Sequence, residues 1–189
     1  MGTYIFLALL ALVLGYGIVI YNGLVYLKNE AARSWSNIDI LLKQRHDEIP
    51  KLVEVCKQYM QFERDTLERV MLARAGANSA REKGDIRAVG AAENALRAGL
   101  GSLFATVEAY PDLKANETLL RLMARITGLE NAIADRREYY NEAANYNNVR
   151  IEVFPDVVVA RLFAFRHAEL LEFSAEETAD VDVKALFRS

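Results

Sequence analysis

Six polar residues could do chemistry because they fall in or beside apolar stripes, where a charge needs a reason to be. They are Arg45 and Glu63 in one stripe, then Glu108, Glu130, Asn131 and Arg137 further along. Two carboxylates brought together can pass a proton or hold a divalent cation. The same residues can instead form a paired network inside a helical bundle, because an unpaired buried charge costs on the order of several kcal/mol. The second reading fits the rest of the sequence better. No nucleophile–base pair, phosphate loop or HExxH sequence accompanies the acids. Cys56 is the single cysteine and His46 and His167 are the two histidines, so neither a disulfide framework, a cysteine-based zinc site nor a three-histidine site can form. The expectation is a non-enzyme with no catalytic residue, cofactor or metal.

Other candidates have plain structural readings. Cys56 lies in an apolar stripe and reads as a buried small hydrophobe. His46, between Arg45 and Asp47, could sense pH but reads as an ordinary polar residue. Tyr139, Tyr140, Asn141, Asn145, Tyr146, Asn147 and Asn148 could bind a ligand, and more simply cap and pack the end of a long helix.

The elements that must position these residues begin with an anchor. No charged side chain occurs from Met1 to Leu27. The run from Tyr4 to Leu27 reaches about 36 Å as a helix, more than the roughly 30 Å of a hydrocarbon core. Leu10 sits inside this run, Tyr4 marks one interface, and Tyr21 and Tyr26 mark the other. Gly15 and Gly17 permit close helix contact but are not spaced as GxxxG. A cleaved signal peptide is disfavoured, because no basic segment precedes the run and no A-x-A site follows it. Lys28, Arg33, Lys43 and Arg45 follow the span. The positive-inside rule then places the C-terminal domain in the cytoplasm.

Beyond the anchor the pattern is helical throughout. Residues 28–78 read as one long helix whose 3-4 spacing, as in a coiled coil, runs through Trp35, Ile38, Leu42, Arg45, Ile49, Leu52, Cys56, Tyr59, Glu63, Thr66, Val70 and Ala73. The phase survives Pro50, which predicts a kink without chain reversal. A polar connection is expected from Gly76 to Asp85, a second helix from Ile86 to Ala109, a stop at Tyr110-Pro111-Asp112, and a third helix from an Asn116 cap to Val149. Residues 157–165 (VVVARLFAF) could be a strand, a buried short helix or an interfacial segment. A short packed helix capped by Asp156 is favoured. Ser174 to Glu177 fits a capping box, and the remainder reads as a tail. The fold class is therefore all-α, an N-terminal transmembrane helix followed by an antiparallel bundle with a long, Pro-kinked first helix. Its parts are an anchor (1–27), a helical-bundle domain (28–155) and a C-terminal segment (156–189).

Five blocks resemble the LemA family: YNGLVYLKN at 21–29, WSNIDILLKQRHDEIPKLV at 35–53, EAYPDLKAN at 108–116, ENAIADRREYYNEAANYNN at 130–148 and FPDVVVARLF at 154–163. They cover nearly the whole chain in order. The resemblance implies a single-pass anchor in a bacterial inner or cell membrane with a helical bundle, and implies no known reaction. Family members are associated with membrane zinc metalloproteases, and one branch with magnetosome membranes.

Geometry adds one expectation. If the third helix climbs away from the membrane, the apolar stripe Trp35, Ile38, Leu41 and Leu42 lacks an intramolecular partner, and exposing it is costly at about 25 cal/mol per Å². Either the segment 157–187 or another subunit must cover it. This stripe is the candidate oligomer or partner surface of a homo-oligomeric membrane scaffold, or of an adaptor for another membrane protein such as a metalloprotease. The mixed charge, net −3, gives no footprint for nucleic acid.

Overall fold

In the computed structural model, which describes residues 1–60 and 63–172, the uncharged N-terminal run continues into the stretch after it as one helix, α1 (Gly2–Lys57). It is followed by α2 (Arg64–Lys83), α3 (Ile86–Val107), α4 (Pro111–Lys114), α5 (Glu117–Glu152) and α6 (Asp156–Leu162), with no strand among the described residues. The all-α expectation holds. The capping box at Ser174–Glu177 and the tail after it lie outside the described residues.

α1 passes through Pro50 without reversal, because proline removes one backbone donor and leaves the apolar phase intact on either side. The helix does not reach residue 78, as the spacing suggested. It closes with tight bonds from Tyr59 N to Cys56 O (3.1 Å) and Met60 N to Cys56 O (2.8 Å), and α2 starts anew at Arg64. The stripe concealed this break because Thr66 and Val70 are buried on α2 in the phase that α1 had set. The polar connection expected from Gly76 is also absent: α2 runs on to Lys83. The turn comes only at Gly84, whose φ of 69° is left-handed and suits a residue without a side chain. Asp85 then caps α3, its carboxylate accepting from Ala88 N at 2.9 Å. Asn116 caps α5 in the same way, through Leu119 N at 3.1 Å.

The described residues group into two compact units. One holds Met1–Arg45 and Ile126–Leu170, and the other His46–Arg125 with Leu171 and Glu172. In the second unit α2 and α3 fold back on each other, and Ile49, Leu52, Cys56, Val70, Leu96, Leu100, Leu103 and Leu119 are buried. Each such side chain contributes about 1.5–3 kcal/mol when removed from water. Gly90 on α3 admits the returning chain: a Cβ there would lie 3.4 Å from Glu172 O and from Leu171 Cδ1.

In the first unit α5 lies antiparallel to α1. Arg45 pairs with Glu130, Trp35 with Tyr140, and Leu24 shares a core with Ile151, so each step along α1 is matched by an equal step back along α5. This corrects the expected direction of the third helix, and with it the unpartnered stripe. Ile38 and Leu42 are buried, Leu41 is half-buried, and the Trp35 ring tilts against Tyr140 with centroids 5.5 Å apart. Tyr140 of α5, in the same chain, covers the Trp35 end of the stripe. The expected geometry failed in direction and not in length: α5 covers nearly the expected residues but runs back along α1 towards its N-terminus.

Candidate functional site

The first unit carries the candidate site. It has three levels along α1 and α5, each built by different chemistry.

At the level furthest from the N-terminus, Arg45 Nη1 donates to Glu130 Oε1 at 2.9 Å, with the arginine side chain almost wholly buried and the glutamate largely so. Arg137 is buried as well, whereas Asn131 is exposed. The other two members of the expected polar network belong to the second unit. Glu108 pairs with Lys114 at 2.6 Å on the surface, and Glu63 precedes α2 without a side-chain cap bond. Of the six, the structure pairs Arg45 with Glu130. The stripe position that forced Arg45 inward also placed Glu130 opposite it, but spacing alone cannot assign partners across helices.

At the middle level, the tyrosine and asparagine cluster of α5 acts on the returning backbone. Tyr140 donates its hydroxyl proton to Glu169 O at 2.6 Å. Asn148 reads the same strap twice: its Nδ2 donates to Ala168 O at 2.9 Å, and its Oδ1 accepts from Ala168 N at 2.7 Å. Asn147 Nδ2 donates to Arg166 O at 3.5 Å. Burial pushes the Tyr140 hydroxyl up to about 12, so it stays a donor. These residues hold an extended segment that could not satisfy its own amides.

At the level nearest the N-terminus, Ile20 and Leu24 of α1, Ile151 of α5 and Ala160 of α6 form a core, with Val159 and Phe165 packed on it. The Tyr21 ring tilts against Phe163 with centroids 4.7 Å apart and meets Phe165 edge-on at 5.9 Å. The segment 157–165 is thus a short packed helix over most of its length, as expected. Asp156 does not cap it. It is the first residue of α6, buried, and it accepts from Arg150 Nε at 2.5 Å. That pair fastens the α5–α6 corner.

The anchor residues Tyr4, Leu10, Tyr21 and Tyr26 are all exposed, and a Cβ on Gly15 or Gly17 would meet nothing within 4 Å. The core that begins at Ile20 overlaps the expected anchor 1–27. The packing of Ile20 and Leu24 is the feature that sequence reasoning missed, and their place in an uninterrupted apolar run hid it.

Two concavities also occur among the described residues. A groove of about 400 Å³ in the first unit is lined by Glu30, Arg33, Ser34, Asn37, Arg136 and Tyr139. Its charges are largely answered within it: Arg33 pairs with Glu30 at 2.6 Å, and the Arg136 guanidinium lies 5.9 Å from the Tyr139 ring centroid. A cleft of about 530 Å³ in the second unit is lined by Val53, Met60, Leu67 and Met71 together with Lys57, Arg64 and Glu68. No group of three metal-ligating side chains occurs among the described residues.

Fold and site together define an all-helical protein whose first helix is long and apolar enough at its N-terminal end to cross a membrane, and whose helical core begins on that same helix. The LemA family model matches residues 34–185, and the chain belongs to the LemA family. It is similar to Magnetosome protein MamQ 2 of Paramagnetospirillum magneticum, with 27% identity over 175 residues covering 80% of this chain and 64% of the relative. It is also similar to Magnetosome protein MamQ of Magnetospirillum gryphiswaldense, at 23% identity over 172 residues covering 79% and 63%. A third relative is Protein LemA of Metamycoplasma hominis, at 27% over 166 residues covering 87% and 74%. The chain therefore spans slightly less than two thirds of the MamQ proteins' length.

Proposed function

We propose that the chain is a single-pass, membrane-anchored scaffold without catalytic activity, which assembles with copies of itself through the outer face of α5. One observation carries this reading. Tyr139, Tyr146 and Val149 are exposed on α5 at intervals of seven and three residues, and Val153, exposed just past its end, follows four residues later. That is the spacing with which one helix seats apolar side chains on another. The opposite side of the same helix is buried at Tyr140, Ala144 and Ile151, with Tyr140 against Trp35 and Ile151 in one core with Leu24. An anchor shared by every copy holds all of them in one plane and one orientation, which favours lateral pairing of identical faces. The polar residues are engaged in structural pairs, Arg45 with Glu130 and Arg150 with Asp156, which supports a role in holding shape.

The basic residues Lys28, Arg33, Lys43 and Arg45 after the apolar run favour placing the bundle on the cytoplasmic side of a bacterial inner membrane. The deciding experiment is the mass of the full chain in mild detergent, for wild type and for Tyr146→Lys/Val149→Lys. Wild type should give a defined oligomer that the double variant dissociates. A monomeric wild type would end the reading. Crosslinking through an α5 reporter that recovered a different membrane protein, such as a metalloprotease, would make the chain an adaptor instead.

A further inference from the structure

We infer that the α5–α6 corner lies in the same bilayer as the anchor, giving the protein a second, non-spanning contact with lipid. The inference rests on α1 crossing the membrane and goes beyond it.

The depth of the corner is set by what it packs on. Counting from Tyr4, a hydrocarbon core of roughly 30 Å is crossed in about twenty residues at 1.5 Å each, which brings the boundary to Gly23 or Leu24. Ile20, Tyr21 and Leu24 are the α1 residues that the corner touches, through Ile151, Ala160, Phe163 and Phe165. The corner is therefore level with the end of the span, and α5 cannot hold it further away without breaking this core.

The chemistry of its outer face agrees. α6 is apolar on two sides: Ala160 and Val159 face the core, while Val158 and Leu162 face outward. Phe154 before the helix and Phe163 after it are exposed as well, Phe154 at 83% and Leu162 at 76%. In water such a face would be a liability; at the edge of a bilayer it has a partner. The acid that would resist this placement, Asp156, is buried and neutralised by Arg150. Arg161 and Arg166 are exposed close by in the chain, and Lys28 stands one turn past Leu24. Long basic side chains at that level can reach lipid phosphates while their stems stay in the apolar layer. Glu152, paired with His167 at 3.4 Å, is the exposed acid beside the corner.

The experiment uses the full chain in phospholipid vesicles. Trp35→Phe removes the single native tryptophan, and Leu162→Trp or Leu9→Trp supplies one reporter at the corner or within the span. Each protein is read with lipids brominated near the headgroup end of the acyl chain, and with aqueous acrylamide. The expected result is blue-shifted Leu162→Trp emission, lost to the shallow bromines and protected from acrylamide. Quenching of Leu9→Trp alone, with Leu162→Trp open to acrylamide, overturns the corner and leaves the anchor standing. A blue-shifted Leu162→Trp signal untouched by bromine means that protein covers the corner, which also overturns the inference. Failure of both reporters to meet lipid overturns the anchor as well. Phe154→Trp, at the most exposed of these positions, repeats the test should Leu162→Trp perturb folding.

Discussion

Cys56 shows what the interior does to a reactive group. It sits wholly buried among the aliphatic side chains of the second unit, and that burial pushes its thiol from the usual 9 up to about 11. The thiolate is the nucleophile, so at neutral pH this cysteine is inert in the folded chain. Maleimide or iodoacetamide should modify it only after unfolding in denaturant, and fast labelling of the native protein would show that the second unit opens locally. The sign of the linked stability follows. An acid whose folded value is raised contributes stability that is intact below pH 9 and is lost as the pH climbs towards 11, because the unfolded chain releases its proton first. Cys56→Ala should flatten that part of the alkaline unfolding profile. This much was legible in the sequence, since a stripe position predicts burial and burial predicts the shift. The partners of Arg45 and Arg150 were not legible. Pairing depends on register between helices, and register appears only once α5 is laid against α1.

Among the elements, periodicity located helices well and their ends poorly. α3 and α5 begin where the caps Asp85 and Asn116 say they should, because a cap is a local hydrogen bond written in a few adjacent residues. The break between α1 and α2 has no glycine or proline near it, and the apolar phase carries across, so nothing local marks it. The end of α6 is a third case. Phe165 N donates to Ala160 O at 2.9 Å, a closing bond that requires the residue before it to turn left-handed, and that residue is Ala164 with φ of 54°. Alanine in this conformation carries a penalty that glycine avoids, on the order of 1 kcal/mol. Ala164→Gly should therefore raise stability by about 0.5–1 kcal/mol in urea unfolding. A loss of stability would mean that chain entropy outweighs the relief of strain at this cap.

At the scale of the whole molecule, the N-terminal apolar run and the domain share residues. An apolar run reads as a membrane span by length and charge, and those properties say nothing about whether its last turns also pack against protein. Here they do: residues from Met1 to Val19 are nearly all exposed, whereas Ile20 and Leu24 are buried against Ile151 and Ala160. Two truncations separate these roles. A chain beginning at Ile20 keeps the core, while one beginning at Lys28 loses both side chains and leaves Ile151, Ala160 and Phe165 uncovered. Removing a buried leucine or isoleucine costs about 2–5 kcal/mol each, so the shorter chain should be less stable by about 4 kcal/mol or more. For a domain of this size that lowers the melting temperature by roughly 8–16 °C. Equal melting temperatures for the two truncations would show that the anchor ends where the domain begins. A large difference would show that the first unit cannot lose the last turns of the apolar run without giving up part of its core.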